Sequence, residues 1–233
     1  MRYVISDVHG ELRLFLRLLK KIKFSQEDKM YICGDILDKG ENPVRLAKYI
    51  SSFDNIYPII GNHELSFLKF YRSLIKECGG KNDIAMKKIQ KYFGEEGELV
   101  DWELVEWLDR LPEYIEEDKF ICVHAGLPLG ENGKILPLSD ARVESLVYDR
   151  RFKEPEVRHE SEKCVFFGHT QTDVICSEPK ILGYRKNPMK PASDISDFYK
   201  IHLDTGSWSL GVLGCFCIDT LKAVYVRKDR QRK

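Results

Sequence analysis

Five short apolar runs in this chain stop in the same way, at a carboxylate, an imidazole or an amide. They are YVISDVHG from Tyr3, YICGD from Tyr31, YPIIGNHE from Tyr57, FICVHAG from Phe120 and VFFGHT from Val165. Runs this short, rich in β-branched and aromatic residues and bounded by turn formers, read as buried strands. In α/β sheets ligands gather beyond the carboxyl ends of strands, where the loops meet in a crevice. A single polar strand end is ordinarily a turn residue or a helix cap. Five such ends describe a site. Four of the six histidines, His9, His63, His124 and His169, fall at these positions. His159 and His202 have no such setting and read as ordinary surface or strand residues.

Between the runs the pattern changes to helical. ELRLFLRLLKKI carries Leu12, Phe15, Leu16 and Leu19 at helical spacing, and NPVRLAKYISSF follows the second run. Residues 64–111 are rich in Lys, Glu, Leu and Tyr and read as helices broken at ECGG and FGEEGE, a helical insertion at about 66–111 capping one edge. From Phe120 onward strands dominate, and SWSLGVLGCFCIDTLKAVYVRK reads as a hairpin turning near its DT. At 233 residues, without repeats or low-complexity linkers, the chain is expected to form one α/β domain over 1–233. The closing RKDRQRK reads as a solvated, frayed end.

Charge narrows the partners. With 37 basic and 37 acidic residues there is no bulk attraction for nucleic acid or an anionic membrane, so neither is an expected partner and anion recognition must be local. MRYVISDVHG lacks a signal-peptide core, and no stretch approaches a membrane span, so a soluble cytoplasmic protein is expected. The seven cysteines sit mostly inside apolar runs with no C-x-x-C pair, and read as free buried thiols in a reducing compartment. CFC near the end reads as an alternating strand.

Asp, His and Asn together, without a cysteine cluster, suit hard or borderline divalent cations such as Mn²⁺, Fe²⁺ and Zn²⁺. Two such ions about 3.5–4 Å apart can share one carboxylate and one hydroxide, an arrangement suited to in-line displacement at phosphorus. The expected chemistry is therefore phosphoester hydrolysis with two divalent ions, manganese first and iron or zinc as alternatives.

DVHG, GDILDKG, GNHE, HAG and GHT, in this order, resemble the signature blocks of the phosphoprotein phosphatase family within the calcineurin-like metallophosphoesterases, and LDTG from Leu203 extends the match. The resemblance implies an α/β fold of two mixed β-sheets packed face to face and flanked by helices. It gives Asp7 and His9 to one metal, Asp35 to both, and Asn62, His124 and His169 to the other. It leaves His63 as the general acid, oriented by Asp38, with a fourth ligand of the second metal as the alternative role for His63. In LVYDRRF the arginine matching the family's phosphate contact is Arg150 rather than Arg151.

Two departures stand out. Lys39 replaces the usual arginine of GDILDKG, a point charge in place of a planar fork. Ile60 stands where eukaryotic protein phosphatases place another arginine. Bacterial diadenosine tetraphosphatases of the family also lack that arginine, although they tend to carry Asp at the position of Glu64. Phosphate binding is thus expected to rest on Lys39 and Arg150. A serine/threonine protein phosphatase acting on a phosphorylated protein, or on a small phosphoester, is the first expectation, and a dinucleoside tetraphosphate hydrolase the alternative. A non-catalytic metal-binding scaffold and a phosphodiesterase or nuclease rank below both. The basic segment 177–200 reads as a solvated loop, with contact to a polyphosphate or a peptide as its other role.

Overall fold

The N-terminal run starts the first sheet. In the computed structural model, which describes residues 1–93, 98–159 and 161–229, β1 (Arg2–Ile5) pairs in parallel with β2 (Lys29–Ile32), and β2 with β3 (Ile56–Pro58). Parallel neighbours need a crossover, and α1 (Leu12–Ile22) and α2 (Pro43–Ser51) supply the two. α1 buries Leu14, Phe15, Leu18 and Leu19. Leu16, expected on this stripe, is 41% exposed because the buried stripe is centred on the 14/15/18/19 set.

The stretch expected to be helical holds α3 (Asn62–Glu77), α4 (Asn82–Phe93) and α5 (Trp102–Asp109). They are joined by contacts such as the Phe67 and Phe93 rings, 5.0 Å apart edge to face. Residues 94–97 of the expected FGEEGE break lie outside the described residues, as do residues 230–233 of the basic end.

The second sheet contains β4 (Tyr114–Glu116), β5 (Phe120–Val123), β6 (Cys164–Phe167), β7 (Leu182–Arg185) and β8 (Phe198–His202), in the order β4-β5-β6-β8-β7. β5, β6 and β8 run parallel, with β4 and β7 antiparallel at the edges. Short helices α6 (Val143–Tyr148) and α7 (Asp173–Cys176) sit in its connections. The hairpin β9 (Val212–Cys217) and β10 (Lys222–Arg227) completes the first sheet, ordered β10-β9-β1-β2-β3.

Strand alternation sorts the core into layers. Val4, Tyr31 and Phe216 of one sheet meet Phe120, Phe166 and Ile201 of the other, and Tyr3, Ile5, Met30 and Ile32 face the helices. Cross-sheet ring pairs, Tyr31 with Phe120 at 5.2 Å and Phe166 with Phe216 at 5.8 Å, fix the face-to-face packing. All seven cysteines are free, and Cys33, Cys122 and Cys164 fill the layer between the sheets. No helix among the described residues is long and apolar enough to cross a membrane.

Three readings change. The segment 177–200, read as a solvated loop, contributes β7 and all but the last residues of β8. Its apolar positions are spaced too irregularly to signal strands without the pairing partner β6. His159, read as a surface or strand residue, is buried outside the strands with Nε2 2.6 Å from the Tyr199 carbonyl, whereas His202 is a strand residue as expected, the last of β8, buried with Nε2 2.5 Å from the Thr170 carbonyl. Asn62 and His63 do not end a strand but open α3, because β3 stops at Pro58.

Candidate metal centre

β1 also stops early, at Ile5, so period-two alternation does not bring Asp7 and His9 together. The backbone beyond the strand does. Nine non-glycine residues among those described have positive φ, and six of them are Asp7, His9, Asp35, Asp38, Lys39 and His169. This region is unfavourable for residues with a Cβ and persists only where the surroundings impose it, which concentrates it at functional sites. Here hydrogen bonds impose it: His9 N and Gly10 N donate to the Asp35 and Ile36 carbonyls at 2.9 and 2.8 Å, lacing the first loop to the second.

Two glycines allow the close approach. A Cβ on Gly61 would lie 2.2 Å from Asp35 Oδ1, and one on Gly168 would lie 2.0 Å from Asp7 Oδ2.

The sequence-expected ligands assemble in two groups sharing Asp35. Asp35 Oδ2 lies 3.6 Å from His9 Nε2 and 3.4 Å from His124 Nε2, and Asp7 Oδ1 lies 3.9 Å from His9 Nε2. On the other side His124 Nε2 is 2.9 Å from Asn62 Oδ1 and 3.2 Å from His169 Nδ1. Donor atoms of His9, Asp35 and His63, and of Asp35, His124 and His169, each fall within 4.8 Å of one another.

The tautomers follow from carbonyl partners, which can only accept. His9 Nδ1 donates to the Leu37 carbonyl at 3.3 Å and His124 Nδ1 to that of Cys33 at 2.8 Å, turning both Nε2 atoms inward. The Nε2 atoms of His9 and His124 therefore face Asp35, with Asn62 Oδ1 and His169 Nδ1 beside that of His124. Asp7 adds a buried Oδ1 without a partner, while its Oδ2 accepts from Ser6 Oγ and from His169 N. Convergent imidazole, carboxylate and amide groups, with one buried carboxylate oxygen left unpaired, are the set that suits a borderline divalent cation.

Electrostatics agrees. Burial pushes the Asp7 carboxyl up to about 7, and burial pulls His9 down to about 4 and His169 to about 3. Burial also opposes a charged His124, but Asp35 and Asp7 outweigh it and lift that imidazole to about 10. Asp35 goes the other way: burial would raise it, yet His124, His9 and His63 hold it well below the usual carboxylate range.

His63 sits at the open side. Its Nδ1 is 2.8 Å from Asp38 Oδ2 and its Nε2 3.9 Å from Asp35 Oδ2. The hydrogen bond to His63 draws Asp38 down to about 2, so this partner is a carboxylate at neutral pH. Arg150 lies on the same cleft, donating to Thr170 Oγ1 at 2.8 Å and to the His169 carbonyl at 3.2 Å. Arg151 turns away to Asp149 and the Leu129 carbonyl. Lys39 lines the cleft with Nζ 3.5 Å from His9 Nε2, whereas Ile60 is buried in the core.

Sequence reasoning missed two groups. Glu64 is fully buried, and its oxygens accept from the backbone N–H of Asp35, Ile36, Leu37 and Gly61 at 2.8–2.9 Å, tying the second loop to the start of α3. Its only signal was its place three residues after Gly61, as in half a capping box. Asp204 of LDTG is buried on the cleft wall, where burial and then Asp7 raise its carboxyl well above the usual range.

A family model described as calcineurin-like phosphoesterase matches residues 2–196. A symmetrical bis(5'-nucleosyl)-tetraphosphatase from Buchnera aphidicola subsp. Schizaphis graminum is 34% identical over 130 residues, covering 54% of this chain and 44% of the relative. One from Vibrio parahaemolyticus is 28% identical over 127 residues, with the same coverage. The match thus spans less than half the length of these relatives. A crystal structure assigned provisionally as a diadenosine tetraphosphatase superposes with a TM-score of 0.69 at 16% identity, covering 98% of this chain and 94% of that one, a likeness of fold. With the family model matched over residues 2–196 of 233, the chain belongs to the calcineurin-like phosphoesterase family.

Proposed function

We propose that this chain is a metal-dependent hydrolase of dinucleoside tetraphosphates, opening the central anhydride with one water to release two nucleoside diphosphates. The observation that carries the reading is Asp35 Oδ2, 3.4–3.9 Å from the Nε2 atoms of His9, His63 and His124, in a cleft flanked by Lys39 and Arg150. The relatives named symmetrical bis(5'-nucleosyl)-tetraphosphatases favour this substrate over the phosphoserine or phosphothreonine protein expected first from sequence.

Asp7, His9 and Asp35 would hold one divalent ion and Asp35, Asn62, His124 and His169 a second, with manganese the first choice. Bound there, the ions would supply an activated water and neutralise phosphate charge. The chain's own groups do the rest. Arg150 presents a planar guanidinium to two phosphate oxygens, and Lys39 adds a point charge on the His9 side. His63, with Asp38 on its Nδ1, keeps Nε2 toward the cleft and hands its proton to the departing oxygen.

The test is metal-stripped protein with Mn²⁺ restored, assayed on diadenosine tetraphosphate and on a phosphothreonine peptide. The expected result is two ADP per substrate consumed and a kcat/KM at least about tenfold above that on the peptide, a gap of about 1.4 kcal/mol. Preference for the peptide would replace the reading with a protein phosphatase. No turnover of either by protein carrying two ions would leave a metal-binding scaffold.

A further inference from the structure

The phosphate grip in this cleft is sparse. Position 60 is filled by a core isoleucine, which leaves Arg150 and Lys39 as the cations on the cleft wall among the described residues. A nucleotide held here must gain affinity from its other end.

Trp208, just outside the residues that line the cleft, lies beside one of these cations. Its side chain is 47% exposed, and the Lys39 ammonium lies 5.9 Å from its ring centroid while also lying 3.5 Å from His9 Nε2. One lysine therefore touches both the ligand cluster and the indole. Scattered exposed apolar residues are ordinary, and Trp102, equally exposed, is accounted for by its hydrogen bond to Glu106 and its contact with Tyr71. Trp208 makes no ring contact with another aromatic among the described residues.

Its backbone is nevertheless held rigidly. Ser207, buried, donates through Oγ to the carbonyls of Asp7 and Val8, so the residue before the indole is bolted to the first ligand loop. Ser209, the residue after it, accepts from Gln171 Nε2 at 2.6 Å, and Gln171 lines the cleft. Leu210 N closes the turn onto the Gly206 carbonyl at 2.9 Å. An open aromatic surface on a pinned loop, beside a cation that faces the phosphate site, is the arrangement that stacks a base while its phosphates bind next door.

We propose that Trp208 is the stacking platform for a nucleobase whose phosphates occupy the metal centre. It deepens the tetraphosphatase reading and rests on it for the substrate, but it requires only that a nucleotide bind. Every base has a π-face, so the platform tolerates any base and selects nucleotides over bare phosphates.

The experiment is calorimetric binding of ADP and of inorganic pyrophosphate to the Mn²⁺-loaded full chain, in the wild type, Trp208→Ala and Trp208→Phe. The affinity ratio of ADP to pyrophosphate is expected to fall about tenfold in the alanine variant, as loss of one stacked base predicts, and to be largely kept by phenylalanine. An unchanged ratio, or equal weakening of both ligands, overturns the proposal, since a loop acting only through the fold affects both alike. A fallen ratio in a protein that fails to cleave diadenosine tetraphosphate upholds the platform and rejects the tetraphosphatase reading. Cleavage with an unchanged ratio does the reverse.

Discussion

Replacing Glu64 by glutamine tests how the loop carrying Asp35 is held. Each carboxylate oxygen accepts two backbone N–H groups, Oε1 those of Ile36 and Leu37 and Oε2 those of Asp35 and Gly61. Whichever way a glutamine amide is turned, its NH₂ faces two N–H donors, so two charge-assisted hydrogen bonds are lost and two buried donors stranded. Bonds to a charged group contribute about 1.5–3 kcal/mol each, which puts the loss at about 3–6 kcal/mol. Part is offset, because burial and then the Asp35 charge raise the Glu64 carboxyl above its ordinary range, and the amide relieves that penalty. The net expectation is about 3 kcal/mol, a large share of the 5–15 kcal/mol of a typical domain and roughly 6–12 °C in Tm for a chain of this size. Urea unfolding of metal-stripped protein at pH 7 measures it. Calorimetric Mn²⁺ binding should weaken in parallel, since the freed N–H groups include that of Asp35. A midpoint shift at unchanged m worth less than about 1 kcal/mol would refute the reasoning. Aspartate, one methylene shorter, should rescue only one of the two donor pairs.

Two further outcomes follow from the geometry. His63→Asn should lower kcat about 10²–10⁴-fold on phenyl phosphate and much less on p-nitrophenyl phosphate, whose leaving group departs without a proton; equal losses on both would remove His63 from the acid role. Asp194 is held down to about 2 from its ordinary 3.8, first by the hydrogen bond from Lys119 at 2.8 Å. The unfolded carboxyl takes its proton first, so the pair's stabilisation is complete above about pH 4 and lost as pH falls through about 2. Asp194→Asn should flatten that part of the acid-unfolding curve by less than about 1 kcal/mol, because the pair is exposed, and an unaltered slope would contradict the assignment.

The side chains that the structure gathers around Asp35 were legible because donor chemistry is local. Asp7, His9, Asp35, His124 and His169 each follow an apolar run, and such a run can be read from its side chains alone although the residue at which the strand ends cannot. The insertion's helices showed through their composition, and the thiols through their apolar surroundings. β7 and β8 were not legible, since their pairing depends on β6, far away in the chain. His159 was misjudged for the same reason: neighbouring residues do not say which histidine a distant strand will cover.

By itself, then, the sequence determined the apolar runs that become strands, the alternation that layers the core, and the carboxylate, imidazole and amide groups available to a cation. Tertiary structure decided where those donors point. Positive φ at six site residues is imposed by hydrogen bonds between loops, such as His9 N to the Asp35 carbonyl, and not by residue preference. The bond from His169 N to Asp7 Oδ2 spans 162 positions, and Ser207 reaches back 200 to the Asp7 carbonyl, fixing the residue before Trp208 to the first ligand loop. Such distances close only when both sheets have packed, because burial makes an unpaired polar group costly enough to select one arrangement of loops.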